Sequence, residues 1–202
     1  QQLGRVIVGI TDEDAPGPIP RVAEPSEGEI SFLLENVNRV VADPVRRDHV
    51  RGAFAGLRPL VDSGTASTAD VSRRHLVAMS EAGFVTVLGG KLTTYRRMAE
   101  DAVDRVVTER GISAPPSSTT TLPLVRDGDI VARSPHPDAR AFLADGIPVT
   151  RAVVEFAVRE ELALTAEDVL DRRTRIGLVP GDRERAAPII EEIVAESLDG
   201  LR

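Results

Sequence analysis

The apolar pattern changes its period at Gly89-Gly90, and this switch limits the fold more than any other feature of the chain. Before it, Phe84 to Leu88 (FVTVL) is a short run rich in β-branched residues and reads as a strand. After it, Leu92, Tyr95, Ala99, Ala102, Val103, Val106 and Val107 recur at helical spacing as far as Arg110, and Gly111 suits the position just past a helix end. Paired glycines between strand and helix permit a tight turn and let a ligand approach the backbone. A helix opening near Leu92 points its first N–H groups and its positive dipole end at whatever lies over the turn. Such an end favours an anion or an electron-rich carbonyl group. Lys91 sits in the mouth of that turn, with the hydroxyls of Thr93 and Thr94 beside it. On spacing alone, a plain strand–turn–helix junction explains the pattern as well. Neither G-x-x-x-x-G-K-[ST] nor G-x-G-x-x-G occurs anywhere in the chain.

Around this junction the chain divides in two. Arg5 to Ile10 (RVIVGI) reads as a strand, and Thr11 to Pro25 as an acidic loop rich in Pro and Gly. Ser26 and Glu29 form a capping box, followed by one apolar helix face through Ile30, Leu33, Leu34, Val37, Val40 and Val41, ended by Asp43-Pro44. His49 to Leu60 reads as a glycine-containing strand with close backbone approaches. Arg73 to Met79 pairs with Phe84 to Leu88 as a hairpin across Ser-Glu-Ala-Gly. Ile112 to Pro123 (ISAPPSSTTTLP) is a linker. Beyond it, residues 138–145, 149–162, 166–175 and 182–198 read as helices, with Thr165 as N-cap and Asp168 in the capping-box position. The expected architecture is therefore α+β. The remnant of an antiparallel sheet with flanking helices (1–111) is joined through 112–123 to a small all-helical domain (124–202).

Composition excludes several function classes. There is no cysteine, which removes disulfide scaffolds and thiolate metal sites. The three histidines are widely spaced, and Asp12-Glu13-Asp14 is better explained as a solvated turn than as a metal site. Aromatic residues are 3% of the chain and the net charge is -7, so a stacking platform or a phosphate-backbone footprint for nucleic acid is not expected. No apolar run approaches the length of a membrane span. Of 25 Lys and Arg residues, Lys91 is the only lysine.

Two further cationic features stand out. Arg58 interrupts the otherwise apolar stretch FAGLRPLV, where a buried guanidinium needs a carboxylate or phosphate, although a solvated strand end serves equally. Arg73-Arg74-His75 opens the hairpin, and alternation along a strand puts Arg73 and His75 on one face.

Taken in order, GITDEDAPG, ISFLLENVNR, FAGLRPL, the S-R-R-H strand, GGKLTTYRRMAEDAVD and EFAVREELALTAEDVLDRRTRIGL resemble the FAD-dependent glycerol-3-phosphate dehydrogenases over nearly the whole chain. That family opens with a βαβ unit carrying G-x-G-x-x-G, which is absent here, so the resemblance implies the C-terminal portion of such an enzyme, inactive alone.

The resemblance implies the following roles. Arg58 lies beside the substrate over the flavin, and Arg73 is a phosphate ligand. Lys91 lies near flavin and substrate, and Gly89, Gly90, Lys91, Leu92, Thr93 and Thr94 form the loop over the pyrimidine edge of FAD. Arg58 and Lys91 are thus the implied catalytic residues, and Arg58, Arg73 and Lys91 the implied phosphate binders. The implied reaction converts glycerol 3-phosphate to dihydroxyacetone phosphate by hydride transfer to FAD, with electrons passing to a quinone. The implied enzyme is cytoplasmic and peripheral on the inner face of the cell membrane, with a homodimer as one expected assembly. Charge chemistry agrees, since arginine forks and a lysine point charge suit a phosphomonoester. A donor aimed at developing negative charge on a flavin carbonyl would contribute about 2.7–4 kcal/mol if it acts as oxyanion-hole donors do. His75 is a candidate base, weighed against an ordinary strand histidine. Two alternatives remain at this stage: residues 124–202 as a dimerisation or membrane-docking module, and a related flavin-dependent amine or amino-acid oxidase.

Overall fold

The computed structural model describes residues 4–58 and 75–201. In chain order these form α1 (Glu27–Val37), β1 (Leu76–Met79), β2 (Val85–Leu88), α2 (Tyr95–Glu109), α3 (Asp127–Arg133), β3 (Phe142–Ala144), β4 (Ile147–Thr150), α4 (Arg151–Glu160) and α5 (Pro180–Asp199), with short 3₁₀ and π-helical turns between them. The α+β expectation holds, and the C-terminal end is helical. The chain forms two compact units, one of residues 1–56 with 125–202 and the other of residues 57–124.

In the first unit, α1 begins where the capping box places it. Glu29 N–H donates to Ser26 Oγ at 3.1 Å and Ser26 N–H to Glu29 Oε2 at 2.8 Å, so two N–H groups at the helix start are satisfied. Glu29 also accepts the Thr11 hydroxyl at 2.6 Å, anchoring the acidic loop. The helix stops at Val37 rather than reaching Val41. Asn38 caps it and turns its side-chain amide to the backbone of Val45, accepting at 2.7 Å and donating at 3.0 Å. An Asx-type interaction of this kind competes with the helix, and it leaves Val40 exposed.

Two expected strands are not formed. Arg5 forms a single bridge, residues 6–10 are irregular, and Val6, Ile7, Val8 and Ile10 are exposed. Residues 50–58 are likewise irregular after a 3₁₀ turn at Arg47–His49, and the last two residues of that expected strand lie outside the described residues. A strand needs a partner ladder, and apolar periodicity cannot supply one. The close approach expected of the glycines does occur: a Cβ on Gly52 would lie 1.9 Å from the carbonyl oxygen of Leu178. Nearby, the Arg175 guanidinium lies 5.8 Å from the centre of the Phe54 ring.

The core of this unit lies among α4, α5, the β3–β4 hairpin and the turns between α4 and α5. Ile147, Val154, Val169, Leu170, Ile176 and Ile190 are buried together there. At roughly 1.5–3 kcal/mol for each fully buried aliphatic side chain, this cluster is the main source of stability in the unit. One correction applies to the expected all-helical segment. Residues 138–145 do not form a helix; Phe142–Ala144 and Ile147–Thr150 pair as an antiparallel hairpin around Gly146, whose φ is +71°. A second hairpin strand therefore occupies the start of what was expected to be a helix from Val149, and α4 begins at Arg151. The Thr165 cap is present: Asp168 N–H donates to Thr165 Oγ1 at 3.2 Å, and Asp168 Oδ2 accepts from Leu164 N–H at 3.0 Å and Thr165 N–H at 3.1 Å. The helix it starts is wound as a π-helix over Asp168–Arg173. There Thr174 adds its N–H at 3.0 Å and its hydroxyl at 2.8 Å to the Val169 carbonyl.

The second unit holds the β1–β2 hairpin and α2. Leu76 pairs with Leu88 and Met79 with Val85. Ser80 closes the turn by donating to Phe84 O at 2.9 Å and accepting Phe84 N–H on its hydroxyl at 3.1 Å, and Gly83 takes φ +84°. None of the described residues of this unit is buried.

Candidate functional site

The expected site residues that the structure describes lie in the second unit. Gly89 and Gly90 both lie in the left-handed region, at φ +71° and +78°. Only glycine adopts two such angles in succession without strain, so the break after β2 is a designed turn rather than a strand that fades. Gly90 is also sterically committed. A Cβ there would lie 2.4 Å from Met98 Sδ, 2.8 Å from Met98 Cε and 3.3 Å from His75 Cβ. The back of the turn therefore packs between α2 and the start of β1.

Lys91 follows as an extended residue and caps a 3₁₀ turn, Leu92–Thr94, that runs into α2. Thr94 closes this turn on Lys91 with three contacts. Its N–H donates to Lys91 O at 2.9 Å, its hydroxyl donates to the same oxygen at 2.9 Å, and that hydroxyl accepts Lys91 N–H at 3.1 Å. The Lys91, Leu92, Thr93 and Thr94 side chains are exposed. Leu92 and Thr93 occupy the helix opening, where N–H groups have no acceptor within the helix. The result is a glycine backbone, a lysine and a helix start together on an accessible surface.

Behind the turn, His75 Nε2 lies 2.7 Å from Asp101 Oδ2, and the other Asp101 oxygen pairs with Arg97 Nη2 at 2.9 Å. The hydrogen bond from His75 is the main reason that the Asp101 carboxyl sits below the ordinary aspartate range; partial desolvation opposes it, and the Arg97 charge adds to it. His75, weighed above as a base, thus has one ring nitrogen committed to Asp101. Sequence reading did not find Asp101, because 26 positions separate it from His75 and its own signal is that of an ordinary helical carboxylate.

The other two expected cations are placed differently. Arg58 is exposed, at the last described position before residue 59. Arg73 lies outside the described residues. The structure brings together Gly89, Gly90, Lys91, Leu92, Thr93 and Thr94, and adds His75, Met98 and Asp101 behind them. In the first unit, a separate polar cleft is lined by His136, Arg151, Glu155, Arg159 and Glu196. Arg151 bridges both carboxylates there, so those charges are satisfied internally. No described helix is long and apolar enough to cross a membrane.

Comparison with known proteins connects these parts. Residues 128–199 match the family described as the C-terminal domain of alpha-glycerophosphate oxidase. Over 96% of its length the chain is 46% identical to Glycerol-3-phosphate dehydrogenase 1 of Mycobacterium tuberculosis, covering 44% of that protein. It is 33% identical to the probable mitochondrial glycerol-3-phosphate dehydrogenase of Dictyostelium discoideum, covering 37% of it, and 32% identical to the mitochondrial enzyme of Mus musculus, covering 32% of it. The chain spans less than half the length of these curated relatives. Residues 128–199 are thus a domain of the kind described as the C-terminal domain of alpha-glycerophosphate oxidase, and nearly the whole chain is similar to part of the glycerol-3-phosphate dehydrogenases.

Proposed function

We propose that the chain is the C-terminal part of a flavoenzyme that oxidises glycerol 3-phosphate to dihydroxyacetone phosphate, with FAD as hydride acceptor and a membrane quinone receiving the electrons. The observation that carries this reading is the exposed Lys91 set between two left-handed glycines and the start of α2. The relatives' names and the domain over residues 128–199 support the substrate. Only part of the catalytic unit is expected in this chain, since the relatives are more than twice as long as the region it matches.

The residues fit a flavin edge. Neither Gly89 nor Gly90 carries a side chain, and the space behind Gly90 is already filled by Met98 and His75, so a planar group would have to approach from the opposite face. Lys91 through Thr94 would lie along that edge. FAD, when bound, supplies the hydride acceptor. The lysine ammonium and the helix-opening amides provide positive potential toward an anionic oxygen, and the fixed Thr94 contacts keep them in place before any charge develops. Arg58 and Arg73 are the proposed phosphate forks, with Lys91 as the point charge that completes the set. Three cations exceed what one carboxylate needs, which favours a phosphomonoester over an amino acid as substrate.

The test has two arms. This chain purified with added FAD is expected to show no flavin bleaching on addition of glycerol 3-phosphate. The full-length gene product containing this sequence is expected to bleach with glycerol 3-phosphate and not with glycerol, and Lys91→Ala should lower the bleaching rate at least about tenfold, the size of one lost charge-assisted contact. Bleaching by glycerol alone, or a Lys91→Ala enzyme with unchanged rate, would rule the assignment out.

A further inference from the structure

The turn that carries Lys91 is backed by a polar contact that the proposed reaction does not use. His75 begins the hairpin, 26 positions before Asp101 on α2, and its Nε2 meets Asp101 Oδ2 at 2.7 Å. Both side chains are largely shielded, at 21% and 28% exposure. Asp101 is occupied on both oxygens, because Arg97 takes the other at 2.9 Å. An ionised carboxylate can only accept, so while Asp101 is ionised the hydrogen of this bond sits on Nε2. This is the way a carboxylate fixes the tautomer and plane of an imidazole at sites where orientation matters.

The ring is fixed in a place with one evident beneficiary. His75 Cβ and the Met98 thioether occupy the two sides of the space where Gly90 would carry a side chain. Met98 lies three residues before Asp101, so the same face of α2 provides one wall directly and holds the other through His75. Thr94, four residues before Met98, has its hydroxyl 3.6 Å from the Met98 sulfur and bonds Lys91 on both its N–H and its carbonyl. A continuous set of contacts thus runs from Asp101 through His75 to Gly90, and from Met98 through Thr94 to Lys91.

We infer that His75 and Asp101 are positioning residues: a clamp between β1 and α2 that fixes the Gly90–Lys91 backbone and so presents the Lys91 ammonium in one orientation. The inference rests on the role given to Lys91 above, but its structural half is tested without substrate or flavin. An ordinary surface ion pair would affect overall stability and nothing local to the turn.

The experiment is amide hydrogen exchange on this chain, read at Lys91, Thr94 and Tyr95, whose N–H groups are bonded within the turn. His75→Leu and Asp101→Leu should each speed exchange at these three amides at least about tenfold while the mid-helix amides of α2 change less than about twofold. His75→Gln places an amide nitrogen near the position of Nε2 and should restore wild-type protection. Arg105→Ala, which breaks the Arg105–Glu109 pair farther along α2, should leave the turn unchanged. In the full-length enzyme, His75→Leu should raise the KM for glycerol 3-phosphate more than it lowers kcat, and His75→Gln should return both. Uniform acceleration along α2, unchanged exchange at the turn, or failure of His75→Gln to protect where His75→Leu does not would overturn the clamp. If exchange behaves as expected and the kinetic arm does not, the clamp stands and the role of Lys91 falls.

Discussion

The hydroxyl of Thr94 accepts the Lys91 N–H at 3.1 Å and donates to the Lys91 carbonyl at 2.9 Å, so one side chain satisfies both backbone groups of the residue that precedes the helix. The geometry is that of a helix-entry box run backwards, with the residue inside the turn serving the one outside it. It costs the chain no charge and uses only the backbone of Lys91, whose side chain is exposed.

Replacing this hydroxyl tests its value directly. Thr94→Val keeps the shape and removes both bonds, and should destabilise by about 0.5–2 kcal/mol, the usual range for loss of a capping contact. Thr94→Ser keeps the bonds and should cost less than half of that. Denaturant midpoints measured at constant m-value separate the two; equal losses would show that the methyl group, and not the hydroxyl, holds the turn.

Gly90 should resist even the smallest side chain. Gly90→Ala places a Cβ at φ +78° and 2.4 Å from the Met98 sulfur, so backbone strain and a steric conflict add together. A left-handed alanine costs roughly 1–2 kcal/mol. Gly90→Ala should exceed that, and Gly90→Ala combined with Met98→Ala should recover the excess by removing the atoms the new methyl would meet. A double variant no better than Gly90→Ala plus the separate cost of Met98→Ala would place the conflict elsewhere, for instance at His75.

Acid should weaken both units, for the same reason in each. Asp101, Asp168, Glu27 and Glu29 all have carboxyls held below their ordinary values. The leading causes are the bonds from His75 to Asp101, from the Leu164 N–H to Asp168, from Arg47 to Glu27 and from Thr11 to Glu29. A depressed folded-state value means that the unfolded chain binds protons first as pH falls. The stabilisation is therefore complete above the ordinary values of 3.8 for Asp and 4.5 for Glu, and is lost as pH drops below them through the folded values. Melting temperature against pH should be flat in this respect above about pH 5 and fall below it, less steeply in Asp168→Asn than in the parent. A slope unchanged by that substitution would remove Asp168 from the account.

Much of this was legible in the residues, wherever the determinant is local. Ser26 with Glu29 and Thr165 with Asp168 are caps that work over three positions, and both are formed. Gly89-Gly90 needed no partner to be read as a turn. The strand expected at residues 5–10 needed a partner, and apolar alternation says nothing about whether one is available. Asn38 ended α1 early through a bond to Val45, seven positions on, which no helical periodicity records. The β3–β4 hairpin was readable and was missed: Asp145-Gly146 between apolar runs is a strong two-residue hairpin signal, outweighed here by the helix-like content around it. At the site, the glycines, the lysine and the threonines could be found from sequence, but the pairing of His75 with Asp101 could not, since only the fold brings them together.

The second unit contains no buried residue among those described, and Phe84 and Leu92 are exposed at 73% and 88%. The first unit holds a closed aliphatic cluster around Ile147, Val169 and Ile190. Buried apolar contacts are what set local opening free energies apart. The hairpin and α2 belong to the low end of the stability range, and the helices around Ile190 to the high end. A ligand seated on the Gly89–Lys91 turn, as proposed above, would therefore stabilise the segment that has most to gain from it, and its binding would be coupled by mass action to the ordering of its own site.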